Sequence, residues 1–300
     1  MKIDLSNVTT EQQNINTMNI DKLDTKSMVE LINREDQRVI DAISEVTTEV
    51  ANAIDAITEQ LRQGGRLVYI GAGTSGRLGV LDASEVLPTF GVGEEMVIGL
   101  IAGGDVALRH PVEAAEDSVD ASIEDLKRIN FNNKDILCAI ASSGRTPYCI
   151  SGIEYAKSIG SKTISLTCAK DNIMSQKADY PIEVVVGQEV ITGSTRMKSG
   201  SAQKMVLNML TTGTMVKLGK VYGNLMVDVK TSNLKLIERA RHIVIKATGC
   251  SYERAAQLLE LSDNSVKVAI VMEILGVDYD VSISLLEKHN GHISRAISEQ

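Results

Sequence analysis

Five short, continuously apolar runs separated by helical stretches constrain this chain more than any other feature. One runs from Arg66 into glycines at 71 and 73, and the others fall at 96–101, 135–140, 162–167 and 182–186. Helical stretches at 78–85, 112–129 and 148–159 lie between them. Strict alternation would signal a sheet wet on one face, whereas unbroken runs signal strands buried on both. Such strands, spaced by helices, predict an α/β fold with a parallel sheet flanked by helices on both faces. Open sheets of this class bind ligands beyond the carboxyl ends of their strands. That singles out the loops 72–77 and 141–146.

Outside this region the pattern changes. Residues 1–25 are polar and aperiodic and read as an arm that packs on something larger. Val39, Ile43, Val46, Val50, Ile54, Ile57 and Leu61 form one face of a single helix, stopped by Gly64 and Gly65. A long helix is expected over 195–218, followed by a turn-rich stretch to Val229. Short helices are then expected at 232–247, 251–260, 264–275, 278–287 and 291–297, with Ser251 and Asp278 as starting caps. The resulting division is an N-terminal arm and helix (1–50), a ligand-binding α/β domain (51–230) and a small helical bundle (240–300).

Composition removes several classes of function. Lys and Arg number 31 against 39 Asp and Glu, a net charge of −8, which disfavours a polyanion groove while allowing a local anion pocket. Seven Tyr, two Phe and no Trp leave few stacking surfaces for bases, so no nucleic-acid partner is expected. The N-terminal stretch lacks an apolar segment, and no run is long enough for a membrane span. A cytoplasmic location follows as the expectation. Cys138, Cys149, Cys168 and Cys250 form no CxxC and read as free thiols. No HExxH or comparable cluster suggests a metal, and no GxSxG suggests a serine hydrolase.

Gly71, Gly73 and Gly76 satisfy GxGxxG, but the acidic residue expected about 20 positions on, at the end of the second strand, is missing. The lysine of a phosphate-binding P-loop is missing too. A phosphate on a small molecule fits better. Ser142, Ser143 and Thr146 cluster before Pro147, which suits the first turn of a helix whose amides favour an anion. Thr74, Ser75 and Arg77 echo Ser142, Ser143 and Arg145 after an earlier strand, so both loops are candidates to line one pocket. Helix capping is the competing reading, and it explains one hydroxyl better than three. The stretch 189–198 offers Ser194, Arg196 and Lys198, either to a ligand or to a capped helix. Glu85, Glu113 and Glu116 are the candidate acids. Glu113 and Glu116 are expected one turn apart on the helix at 112–129 and so on one face. A pair of carboxylates facing a pocket would suit general acid–base work.

Several blocks carry a resemblance. They are LINRED (31–36), IGAGTSGRLGVLDASE (70–85), EAAEDS (113–118), ASSGRTPY (141–148), EVITGSTRMKSGSAQK (189–204) and GNLMVD (223–228). Together they closely resemble the N-acetylmuramic acid 6-phosphate etherases, enzymes of the sugar isomerase (SIS) fold, over nearly the whole chain. The resemblance implies cleavage of the D-lactyl ether of N-acetylmuramic acid 6-phosphate to N-acetylglucosamine 6-phosphate and D-lactate. It also implies no cofactor, a homodimer, and Glu85 and Glu116 as the catalytic pair. Sugar-phosphate isomerases of the fold carry Glu where this chain has Arg145, which disfavours an isomerase. The glucokinase regulatory proteins share these features at about twice the length. A non-catalytic sugar-phosphate sensor and a sugar-phosphate isomerase are the alternatives.

Overall fold

The computed structural model describes residues 9–229 and 233–298. The chain divides into two compact units, residues 1–84 with 95–211 and residues 85–94 with 212–300.

The first unit is built on a five-stranded sheet. Its strands are β1 (Leu67–Gly71), β2 (Val97–Ile101), β3 (Ile136–Ile140), β4 (Lys162–Thr167) and β5 (Tyr180–Glu183). Their order is β2-β1-β3-β4-β5 and every pairing is parallel. All residues of β1 and β3 are buried, as central strands covered on both faces require. Val68 pairs with Leu137, and Ile70 with Ala139. They share a core with Leu126, Tyr148 and Ile153. Burial of each such aliphatic side chain stabilises the fold by about 1.5–3 kcal/mol. The fifth strand begins earlier than the apolar run 182–186. Pro181 is tolerated because β5 is an edge strand.

The N-terminal face is carried by two helices, α1 (Thr25–Ser44) and α2 (Thr47–Arg62), not one. The break at Glu45 and Val46 contains neither Gly nor Pro, so the apolar spacing ran through it unnoticed. The segment 9–24 packs through Asn14 and Thr17, both buried. Thr17 Oγ1 donates to the Val190 carbonyl at 2.8 Å and Asn14 Nδ2 to the Gln188 carbonyl at 3.3 Å. The part of the expected arm before residue 9 lies outside the described residues.

After β1 comes α3 (Gly73–Phe90). It starts earlier and ends later than the stretch 78–85, passing through Pro88, whose missing amide removes one bond near the helix end. The expected helix over 112–129 does not form. After a one-turn helix α4 (Val106–Arg109), that stretch instead holds a 3-10 turn (Ala115–Asp117) and α5 (Ala121–Arg128). Ala114 takes a left-handed φ of 59°, which no helix can contain. Helices α6 (Pro147–Ser158), α7 (Ile173–Lys177) and α8 (Lys198–Lys217) complete the series. The last starts three residues later than expected because 195–197 form turns.

The second unit carries a short hairpin of β6 (Val221–Tyr222) and β7 (Leu225–Met226). Five helices follow: α9 (Leu234–Thr248), α10 (Tyr252–Leu261), α11 (Val266–Leu275), α12 (Tyr279–Lys288) and α13 (Ile293–Ile297). Ser251 and Asp278 cap α10 and α12 by accepting from Arg254 N and Val281 N. Val244, Leu258, Ala269, Ile270 and Ile293 form its core. Lys220 and Lys267 both reach Asp228 Oδ2, at 2.9 and 2.7 Å.

Candidate active site

The glycines at the end of β1 serve packing. A Cβ on Gly76 would lie 2.6 Å from the Gly71 carbonyl oxygen, and one on Gly71 would lie 2.8 Å from Gly76 N. The tight turn of strand into helix therefore accounts for this spacing without a dinucleotide. Within the turn Thr74 is half-buried and Ser75 is buried.

The second loop, 141–146, is held from several sides. Its Ser142 carbonyl accepts from Cys168 N at 2.9 Å and its Gly144 carbonyl from Met174 N at 3.1 Å. Gly144 has φ +66°, and a Cβ there would lie 2.1 Å from Asn172 Oδ1. Asn172 is itself fixed by Nδ2 bonds to Thr167 Oγ1 at 2.9 Å and the Ala169 carbonyl at 2.8 Å. Pro147 occupies the first turn of α6 as expected. Thr146 stands at the N-cap but its side chain makes no capping bond. Its hydroxyl and the positive end of α6 are thus available to an anion. Ser142 and Ser143 are half-buried beside it, and Ser143 Oγ accepts from Arg145 N at 3.3 Å. The Arg145 side chain is exposed.

Gln203 of α8 joins the two loops. It accepts from Ser75 Oγ at 2.9 Å and donates to Ser142 Oγ at 3.3 Å, and it is fully buried. The sequence reading did not single it out. Its signal was a polar residue beside Ala202, Val206 and Leu207 on a buried helix stripe, where an amide must find partners.

A cavity of about 350 Å³ opens beyond β1 and β2. That is enough for a small ligand. Ala72, Gly73 and Arg77 line it from the first loop, and Pro111, Val112, Glu113, Ala114, Ala115 and Glu116 from the segment after α4. Glu113 and Glu116 therefore do meet at one cavity. A turn containing left-handed Ala114 brings them there, not a shared helix face. Both carboxylates are exposed. Glu85 is also exposed, on α3 three residues after Asp82, and is not among the lining residues. Nor are Ser142, Ser143 and Thr146.

Asp82 is buried. Burial pushes its carboxyl above the ordinary range, while bonds from Tyr69 and Thr211 and the charge of Lys204 partly offset this. Oriented to satisfy both neighbours, the Asn208 amide donates to Asp82 Oδ1 at 3.1 Å and accepts from Lys204 Nζ at 2.6 Å.

The 189–198 stretch caps a helix. Glu189, fully buried, accepts from Lys198 N and Ser199 N at 2.9 Å and from Ser199 Oγ at 2.8 Å, filling the N-terminus of α8. Lys198, offered as a substrate contact, is 0% exposed and its Nζ lies 2.8 Å from Glu35 Oε2. Burial alone would raise the Glu35 carboxyl, but bonds from Lys198, Asn14 and Asn16 outweigh it and hold it below its usual value. Ser194 is half-buried in the turn before α8. Burial pushes the Cys149 and Cys168 thiols up to about 12, so neither serves as a nucleophile near neutral pH. Among the described residues no group of three His, Cys, Asp or Glu side chains is placed to hold a metal ion. Among them, too, no helix is long and apolar enough to cross a membrane.

Known proteins match this arrangement. Residues 49–157 match the family model of the glucokinase regulatory protein N-terminal SIS domain, and residues 115–213 that of the SIS domain. A solved structure assigned as a phosphosugar isomerase involved in capsule formation from Bacteroides fragilis is 23% identical. It has a TM-score of 0.52 and covers 66% of this chain and 93% of its own, a likeness of fold. The N-acetylmuramic acid 6-phosphate etherase of Clostridium beijerinckii is 52% identical over 99% of this chain and 98% of its own length. That of Glaesserella parasuis is 54% identical over 97% of this chain and 96% of its own. Similarity at this level, over this much of both chains, makes the present chain a member of the N-acetylmuramic acid 6-phosphate etherase family.

Proposed function

We propose that this chain cleaves the D-lactyl ether of N-acetylmuramic acid 6-phosphate with water, giving N-acetylglucosamine 6-phosphate and D-lactate. The identity of more than half the residues with etherases over nearly the full length carries this reading. Glu116 on a cavity wall at the strand ends supports the site.

In the proposed reaction the sugar opens to its aldehyde, which acidifies the proton on C2. The Glu116 carboxylate takes that proton, and the C2–H pair forms the C2–C3 double bond. The C3–O bond breaks, its electron pair staying on oxygen, and Glu85 supplies the proton that releases lactate. Water then adds its oxygen to C3 while C2 regains a proton. Positioned acids and bases of this kind contribute about 10²–10⁴ each. Ser142, Ser143 and Thr146 hold the phosphate, with Thr74 and Ser75 of the neighbouring loop beside it. Binding energy from that remote group aligns C2 and C3. The reaction needs no cofactor or metal. The enzyme works in the cytoplasm as a homodimer without nucleic acid. The exposed Ile15 and Met18 of the N-terminal segment support a subunit contact.

The test is turnover in deuterium oxide enriched in oxygen-18. Elimination followed by hydration puts deuterium on C2 and the heavy oxygen on C3, and leaves the lactate oxygen unlabelled. Heavy oxygen in lactate, or full retention of the C2 proton, would reject the sequence of steps.

A further inference from the structure

The substrate of the proposed function carries two anionic ends, the 6-phosphate and the carboxylate of the departing lactyl group. The first has hydroxyls and a helix N-terminus at 141–146. The second must be accommodated at C3, next to the carbon from which the proposed base takes its proton, and the cavity holding Glu116 is lined by a second carboxylate, Glu113. Two acids on one wall repel an incoming carboxylate unless a cation stands with them.

One cation lines that cavity, Arg77. It sits one turn into α3 and is half-buried. Its Nε donates to the Leu108 carbonyl of α4 at 3.0 Å. That bond orients the guanidinium plane. It uses one of five N–H donors and leaves the two terminal nitrogens. Among the described residues the Leu108 carbonyl is its one partner, so neither Glu113 nor Glu116 neutralises it. Ala72, Ala102, Ala107 and Val112 add apolar wall beside it. A charge pair formed there is weakened less by water than one at an open surface. Arg145, the counterpart of Arg77 in the second loop, is exposed and has no such setting.

We propose that Arg77 binds the lactyl carboxylate through its two terminal nitrogens, and so selects 3-O-lactyl sugars over uncharged 3-O ethers. This rests on the etherase reading. The planar fork matches a carboxylate in a way that lysine does not. Held beside the ether, the same charge also favours the electron pair arriving on the leaving oxygen.

The experiment compares the wild type with Arg77→Met and Arg77→Lys. Two substrates are used, N-acetylmuramic acid 6-phosphate and its analogue with the lactyl carboxylate converted to a primary amide. Inhibition by N-acetylglucosamine 6-phosphate, which has no lactyl group, reports the phosphate and sugar contacts. The wild type should prefer the acid by about 100-fold in kcat/KM, the loss expected when a charge-assisted hydrogen-bonded pair is replaced by a neutral one. In Arg77→Met that ratio should fall to within about threefold of one, with Arg77→Lys between the two. The inhibition constant should stay within about threefold in both variants. A preference retained in Arg77→Met overturns the proposal. So does an inhibition constant that weakens in step with turnover, which would place Arg77 on the phosphate or in the fold. If the wild type releases no lactate from the acid substrate, the etherase reading falls and this proposal with it.

Discussion

The two loops that would serve substrate are held in opposite ways. The 141–146 loop is fastened by backbone bonds to β4 and α7, by Asn172 packed against Gly144, and by Gln203. The 110–118 segment is exposed along most of its length, and its turns rest on local bonds such as Asp117 N to the Ala114 carbonyl at 3.2 Å. In the proposed reaction the first loop presents several donors at once to an anion, which rewards a fixed shape. There the second brings one carboxylate to a reacting carbon, and for that an unfilled cavity edge suffices. Substitutions in the first should therefore damage folding and binding together, and those in the second turnover alone.

The largest separation is expected from Glu116→Gln. It should lower kcat by about 10²–10⁴ with little change in melting temperature. A large fall in melting temperature would place Glu116 in the frame. Glu35→Gln should do the reverse and destabilise by about 3–5 kcal/mol, because it strands Lys198 in the interior. Urea unfolding reads this directly. The Glu35 carboxyl is held below its unfolded value, so its contribution is complete above about pH 4.5 and is lost as pH falls further. The urea midpoint of the wild type should therefore drop more steeply below that pH than that of the variant.

Gly144→Ala should cost about 3 kcal/mol, from the left-handed backbone and the clash with Asn172. It should weaken sugar-phosphate inhibition as well, and an unchanged inhibition constant would separate the loop's shape from binding. Gln203→Ala releases one bond to each loop and should weaken inhibition by about tenfold. Ala114→Gly is the mildest, shifting stability by at most about 1 kcal/mol, since glycine takes a positive φ without penalty. Retained turnover there would fit a turn whose backbone, not its side chain at 114, sets the position of Glu116.

The sheet could be read from the chain because burial on both faces leaves unbroken apolar runs, as in β1 and β3. The helix over 112–129 was misread because Glu and Ala favour helix locally. What decides that segment is the backbone of Ala114 after the turn at Gly103 and Gly104, which no residue type announces. The break between α1 and α2 was hidden for a similar reason, since the apolar stripe continues across it. Of the candidate site, the hydroxyl loops are visible in the sequence as clusters at strand ends. The partners that fix them were not, because Gln203 is more than 60 residues from Ser142 and Glu35 is 163 from Lys198. Lys198 shows the cost of that blindness. Read alone it suggests a ligand contact, whereas in the fold it is buried against a carboxylate.

The most direct measurement is lactate release from N-acetylmuramic acid 6-phosphate, without added metal or nicotinamide, followed by the mass of the sugar product. The account predicts one D-lactate per N-acetylglucosamine 6-phosphate, with the rate collapsing in Glu116→Gln and in Glu85→Gln. No lactate from a folded sample that binds N-acetylglucosamine 6-phosphate would contradict it and leave a sugar-phosphate sensor.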